Sequence, residues 1–183
     1  MMLAESPREQ SQIAPIFEER QKMDMLWIRI AGAVPLVASV AIFGWGIYHQ
    51  VIRGQPWGNK QMSNTALILI SIFAVASAST ITVALFAVQM RTQVLPNRVV
   101  VRYRPFRTRA VAASEIEAAS AITYRPIRDF GGWGIRRSAR RNAWIYSMTG
   151  NQAVDLTLDG DVHLYIGTRR PAELESAIRR IIG

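Results

Sequence analysis

Residues 27–48 read WIRIAGAVPLVASVAIFGWGIY and residues 66–90 read ALILISIFAVASASTITVALFAVQM. At ~1.5 Å per residue the first run spans ~33 Å as a helix, close to the hydrocarbon thickness of a bilayer. Its one charge, Arg29, stands near an end, where a long side chain can snorkel to the headgroups. Trp27 at one end and Trp45 and Tyr48 at the other match interfacial aromatics. Gly32 and Pro35 are tolerated, because a chain in lipid has no better option than to stay helical. The second run carries no charge, and Ala74, Ala78 and Thr82 recur at every fourth position. That small-residue stripe lets two helix backbones approach closely and is the expected helix-packing surface.

The flanks are polar, so the hydrophobic half of the 183-residue chain is concentrated rather than scattered. Five acidic residues precede the first run (Glu5, Glu9, Glu18, Glu19 and Asp24), unlike the short basic start of a cleaved leader. Basic residues set the expected orientation. The stretch 49–65 has only Arg53 and Lys60, whereas Arg91, Arg98, Arg102, Arg104, Arg107 and Arg109 follow the second run. Positive segments stay inside, so both termini are expected in the cytoplasm and the loop around Pro56, Trp57 and Gly58 outside. The expected layout is a cytoplasmic segment 1–26, membrane helices 27–48 and 66–90, an external loop 49–65, and a cytoplasmic domain 94–183. Within the first segment, Ile16, Phe17, Arg20, Met23 and Trp27 fall roughly on one helical face, giving either an interfacial helix or a frayed tail.

From residue 94 the pattern changes to short alternating runs. Val99, Val101 and Tyr103 alternate with Val100, Arg102 and Arg104, a strand signal. Further strands are expected at 106–111, 118–124, 132–136, 144–148, 153–158 and 161–166. Asp159–Gly160 supplies a hairpin turn between the last two. Residues 171–182 form a closing helix, with Pro171 in its first turn and Leu174, Ile178, Ile181 and Ile182 as its apolar stripe. Seven strands followed by an amphipathic helix is the order of a pleckstrin-homology fold.

Four stretches carry a resemblance to a known family: SEI (114–116), GGWGIR (131–136), AVDLTL (153–158) and IGTRRPAEL (166–174). On them the chain resembles the bacterial membrane-anchored proteins with a pleckstrin-homology-like (PH-like) domain. The resemblance implies an α+β chain: a two-helix transmembrane hairpin, then a PH-like seven-stranded β-sandwich or barrel capped by a C-terminal helix, at the bacterial inner membrane. It transfers no catalytic residues.

No chemistry of catalysis is legible. The chain has no cysteine, so disulfides and thiolate-held metals are excluded. Its two histidines, His49 and His163, fall on opposite sides of the expected membrane, and His163 reads as an ordinary outward strand residue. Asp155, Asp159 and Asp161 lack the spacing of a calcium loop. The glycines at 131–134 are not a phosphate-binding fingerprint and are expected to let Trp133 pack in the sandwich. No cofactor, metal, small-molecule substrate or nucleic-acid partner is expected.

Positive charge remains. Residues 91–183 hold sixteen arginines and eight carboxylates, so +8 of the net +9 lies there. The candidate contact residues for anionic lipid or a protein partner are Arg102, Arg104, Arg107, Arg109, Arg136, Arg137, Arg140 and Arg141, with 136–141 as a basic hairpin tip. Each basic side chain near an anionic leaflet contributes ~1 kcal/mol, which adds nothing to recruitment of a chain already held by two helices. The charge then orients the domain or binds something specific. The expected function is a non-enzymatic scaffold or regulatory contact surface in a membrane complex, its partners being membrane lipids and a membrane protein or a second copy. The alternative is a module that reads anionic headgroups.

Overall fold

The computed structural model describes residues 14–23, 26–58, 62–138 and 141–182. The chain divides into two compact units, Met23–Val88 and the residues that flank it on both sides. It is α+β, with two long apolar helices, two β-sheets and a C-terminal helix.

The helical unit comprises α1 (Leu26–Ile47), a π-helical turn (Tyr48–Ile52) and α2 (Asn64–Ala87). Pro35 lies inside α1, and Ser39 Oγ donates to its carbonyl at 2.7 Å. Ser63 caps α2 by accepting from Ala66 N–H at 3.2 Å, satisfying one of the amides a helix start leaves over. Gln50, 3% exposed, closes the connection by donating to the carbonyl of Met62 at 2.7 Å and to Asn64 Oδ1 at 3.0 Å. The spans Ile28–Ile52 and Asn64–Ala87 are long and apolar enough to cross a membrane. Phe73, Val83, Val37 and Trp45 stand exposed along them, unlike residues of a buried core helix.

In the other unit, β1 (Phe17–Lys22), β2 (Gln89–Leu95), β3 (Arg98–Arg104) and β4 (Arg107–Ala112) form an antiparallel sheet in that order. β1 corrects the expectation of an interfacial helix or tail over its residues. Its inward positions are Phe17, Glu19 and Gln21, two of them polar, so no hydrophobic alternation betrayed the strand. Its partner β2 lies beyond the whole helical hairpin, with Phe17 opposite Val94 and Lys22 opposite Gln89. The second helix, expected to reach residue 90, ends at Ala87; Met90 is a core residue of β2. The sheet domain therefore begins with β1 and resumes at Gln89, rather than starting at residue 94.

The second sheet has the order β5 (Ile116–Thr123), β8 (Gln152–Leu158), β9 (Val162–Gly167), β7 (Ala143–Ser147), β6 (Gly134–Ser138). β7 and β9 are parallel, Ala143 opposite His163 through Tyr146 opposite Ile166. The expected seven strands are thus nine among the described residues, and this sheet is not a plain succession of hairpins. The β6–β7 hairpin pairs through β7 with β9 instead of with β8, the next strand in the chain. Hydrophobic alternation reports which residues face inward, not which strand lies beside which.

Between β5 and β6, residues expected to close a strand form a short helix, α3 (Pro126–Phe130), ended by Gly131 in the left-handed region at φ 73°. Phe130 packs edge-on against Tyr124 and Tyr165, in a core with Ala143, Ile145 and Ala153. The opposite face of the sheet buries Val154, Leu156, Leu164 and Ile166. α4 (Pro171–Ile182) has the expected bounds, buries Leu174, Ala177 and Ile178, and packs chiefly on β5. Glu175 accepts from Ala121 N–H at 3.1 Å and pairs with Arg179 at 2.8 Å.

Candidate functional site: the arginine surfaces

Strand pleating distributes the arginines expected to contact anionic lipid or a partner. Arg102 and Arg104 lie on β3 on the side away from Val99, Val101 and Tyr103. Arg102 is opposite Arg91, which is opposite Arg20, so a row of like charges crosses three strands. Glu18 holds two of them: Arg91 donates to both carboxylate oxygens at 2.9 and 2.7 Å, and Arg20 donates at 2.9 Å. The hydrogen bond from Arg91, with help from Arg20 and against some desolvation, lowers the Glu18 carboxyl to about 2.

Arg107 and Arg109 pair with Tyr103 and Val101 and so take the inner face of the sheet. They line a cavity of about 360 Å³ with Trp144, Tyr146, Leu158 and Leu164. The basic tip is likewise divided. Arg136 and Arg137 are neighbours within β6 and point to opposite faces. Arg136 Nε donates to the Trp133 carbonyl at 3.3 Å, while Arg137 stacks over the Trp144 ring at 5.7 Å. Trp133 itself stays half-buried, its indole N–H donating to the Gly150 carbonyl at 2.7 Å, rather than filling the core. Arg140 lies outside the described residues.

Arg141 joins two arginines that sequence reasoning did not single out. With Arg125, Arg128, Asp129, Thr123 and Ser138 it lines a cavity of about 570 Å³. Asp129 organises this place. Its Oδ2 accepts from Arg125 N–H at 2.8 Å and its Oδ1 takes Arg141 Nη2 at 2.9 Å. Arg125 and Arg128 are three apart in a run that bends into a helix, a signal hidden by reading the run as a strand end.

His163 is half-buried, not an ordinary surface residue. Its Nδ1 lies 2.9 and 3.0 Å from the two Asp155 oxygens, and Nε2 is 3.5 Å from Asp161. Burial pushes the Asp155 carboxyl up against the opposing pull of His163. Burial also raises the neighbouring Tyr165 phenol, an effect that Asp155 reinforces and a hydrogen bond from Arg141 opposes. No group of three or more His, Cys, Asp or Glu suited to a metal occurs among the described residues.

In the helical unit, Ala78 is buried and Thr82 Oγ1 donates to the Gly32 carbonyl of α1 at 2.8 Å. Ala74 is half-buried on the same stripe. Comparison with known proteins finds no matching family model, no matching curated protein and no matching solved structure.

Proposed function

We propose that the chain is a non-enzymatic membrane protein whose basic two-sheet domain is a scaffold or regulatory contact surface within a membrane complex. In this reading both termini are cytoplasmic and the bacterial inner membrane is the host. The observation that carries it is the pairing of Lys22 with Gln89. The two strands that flank the apolar hairpin in sequence are thus neighbours in one sheet. A sheet that gathers both flanking segments suits a fixed platform for a partner contact. The alternative, headgroup reading through an arginine patch, has less support, because Arg136 and Arg137 point to opposite faces of β6 and the other arginines lie on further faces.

Purification of the full chain from membranes in mild detergent, followed by identification of subunits held in constant ratio, tests the proposal. A chain that leaves the membrane fraction in alkaline carbonate without detergent, or that runs only as a monomer with no partner after cross-linking, would sink it.

A further inference from the structure

The arginine cavity beside α3 combines an excess of donors with a fixed frame. Among the described residues three arginines line it and one carboxylate opposes them, leaving a charge of +2. Asp129 already uses both oxygens, on Arg125 N–H and on Arg141. The guanidinium groups of Arg125 and Arg128 make no hydrogen bond or ion pair among the described residues. Holding three like charges against one carboxylate is unfavourable, and an anion in the cavity relieves it.

We propose that this cavity binds a phosphate monoester, its phosphoryl group seated among Arg125, Arg128 and Arg141. The charge selects the ligand class. A phosphate monoester carries about −1.5 to −2 at neutral pH and offers three strong acceptor oxygens, whereas a single carboxylate leaves about one positive charge uncompensated. Guanidinium forks match phosphate oxygens in pairs, and the hydroxyls of Thr123 and Ser138 add donors on the same lining. The volume leaves room for an organic body beyond the phosphoryl group.

The frame is set before any ligand arrives. Asp129 fixes the Arg141 guanidinium, while the ring contacts of Phe130 with Tyr124 and Tyr165, centroids 6.0 and 5.3 Å apart, fix α3 and with it the backbone position of Arg128. Less ordering is then left to binding. The site is separate from the contact-surface proposal, and either can fail alone. The ester is a soluble metabolite or a lipid headgroup, which share this chemistry.

Calorimetry on the full-length protein in non-ionic detergent, with phenyl phosphate as the probe, tests the site. Saturable one-to-one binding is expected, weakened about tenfold or more in the double variant R125Q/R128Q. The double variant R102Q/R104Q removes equal charge from another face and is expected to bind as the natural chain does. An unchanged melting temperature in both variants separates lost binding from lost folding; if R125Q/R128Q melts early, the single variant Arg128→Gln takes its place. Competition by short-chain phosphatidic acid identifies the source. Displacement at far lower concentration than phenyl phosphate supports a headgroup, and equal displacement supports a soluble ester. Absence of saturable binding up to about 5 mM, or equal weakening by the two double variants, overturns the proposal.

Discussion

The Thr168 hydroxyl donates to the Glu19 carboxylate across 2.5 Å, and the Arg169 N–H reaches the other oxygen of Glu19 at 3.0 Å. Glu19 is 7% exposed and Thr168 4%. The pair ties β1, the strand that leads into α1, to the turn before α4. Two further contacts do the same: Gln21 Nε2 donates to the Gly167 carbonyl at 2.9 Å, and Arg170 Nη2 donates to the Glu18 carbonyl at 2.6 Å. A buried carboxylate with two donors loses about 1.5–3 kcal/mol per charged hydrogen bond removed. Glu19→Gln removes the charge from both hydrogen bonds and makes Thr168 Oγ1, which already accepts from Arg170 N–H, the acceptor of a second donor. It is expected to lower stability by about 2 kcal/mol, read as the denaturation midpoint of the full chain in detergent. A midpoint equal to that of the natural chain would refute the role given to this pair.

Glu18 gives a pH dependence with a defined sign. Its carboxyl is held at about 2, below its ordinary value of 4.5, first by Arg91. A depressed folded value means that the stabilisation is present above the unfolded value and is lost as pH falls from about 4.5 towards 2. The group is partly exposed, so screening reduces its contribution to about 1 kcal/mol. Relative to Glu18→Gln, the natural chain is expected to be more stable at neutral pH, with most of the difference gone by pH 2. A difference that stays constant across that window would contradict the ion pair.

Pairing across the hairpin can be trapped chemically. The chain has no cysteine, so a Lys22→Cys, Gln89→Cys variant carries only the designed pair. Directly opposite strand residues have Cβ atoms about 4.5–5.5 Å apart, close enough for a disulfide after a small adjustment. With a protease site placed in the loop near Gly54, cleavage is expected to leave two fragments joined under oxidation and separate under reduction. Fragments that separate under both conditions would rule out the β1–β2 register.

Gly167 explains part of the closing motif IGTRRPAEL. A Cβ there would stand 2.7 Å from Ser147 Cβ and 2.9 Å from Ser147 Cα, a backbone atom that cannot swing aside. Gly167→Ala is expected to cost about 1–3 kcal/mol, the range for overpacking a closed site. Gly150→Ala meets no neighbour within 4 Å but must adopt φ 79°, so its smaller cost arises from backbone strain alone. Equal thermal shifts for the two variants would count against the close β7–β9 approach.

The parts legible in advance share one property: their signal is local. Residues 171–182 show a 3.6-residue stripe with Pro171 at the start, and α4 has those bounds. β3, β8 and β9 alternate apolar and polar residues, and each formed near its expected place. β1 was hidden because its core positions include Glu19 and Gln21, whose burial makes sense only beside Thr168 and Gly167. The arginine cavity was hidden for a related reason: Arg141 reaches Asp129 only once α3 has turned the chain back.

Composition and periodicity along the chain were enough to specify two long apolar helices, a strand-rich remainder, a closing amphipathic helix and the excess of arginine. Those features depend on neighbours a few residues apart, whose spacing is written in the polypeptide. The pairing of β1 with β2 across the hairpin, the parallel β7–β9 contact and the grouping of Arg125, Arg128 and Arg141 came from folding in three dimensions. Such contacts join residues distant in the chain, and the free energy that selects them resides in complementary partners rather than in any one segment's own preference.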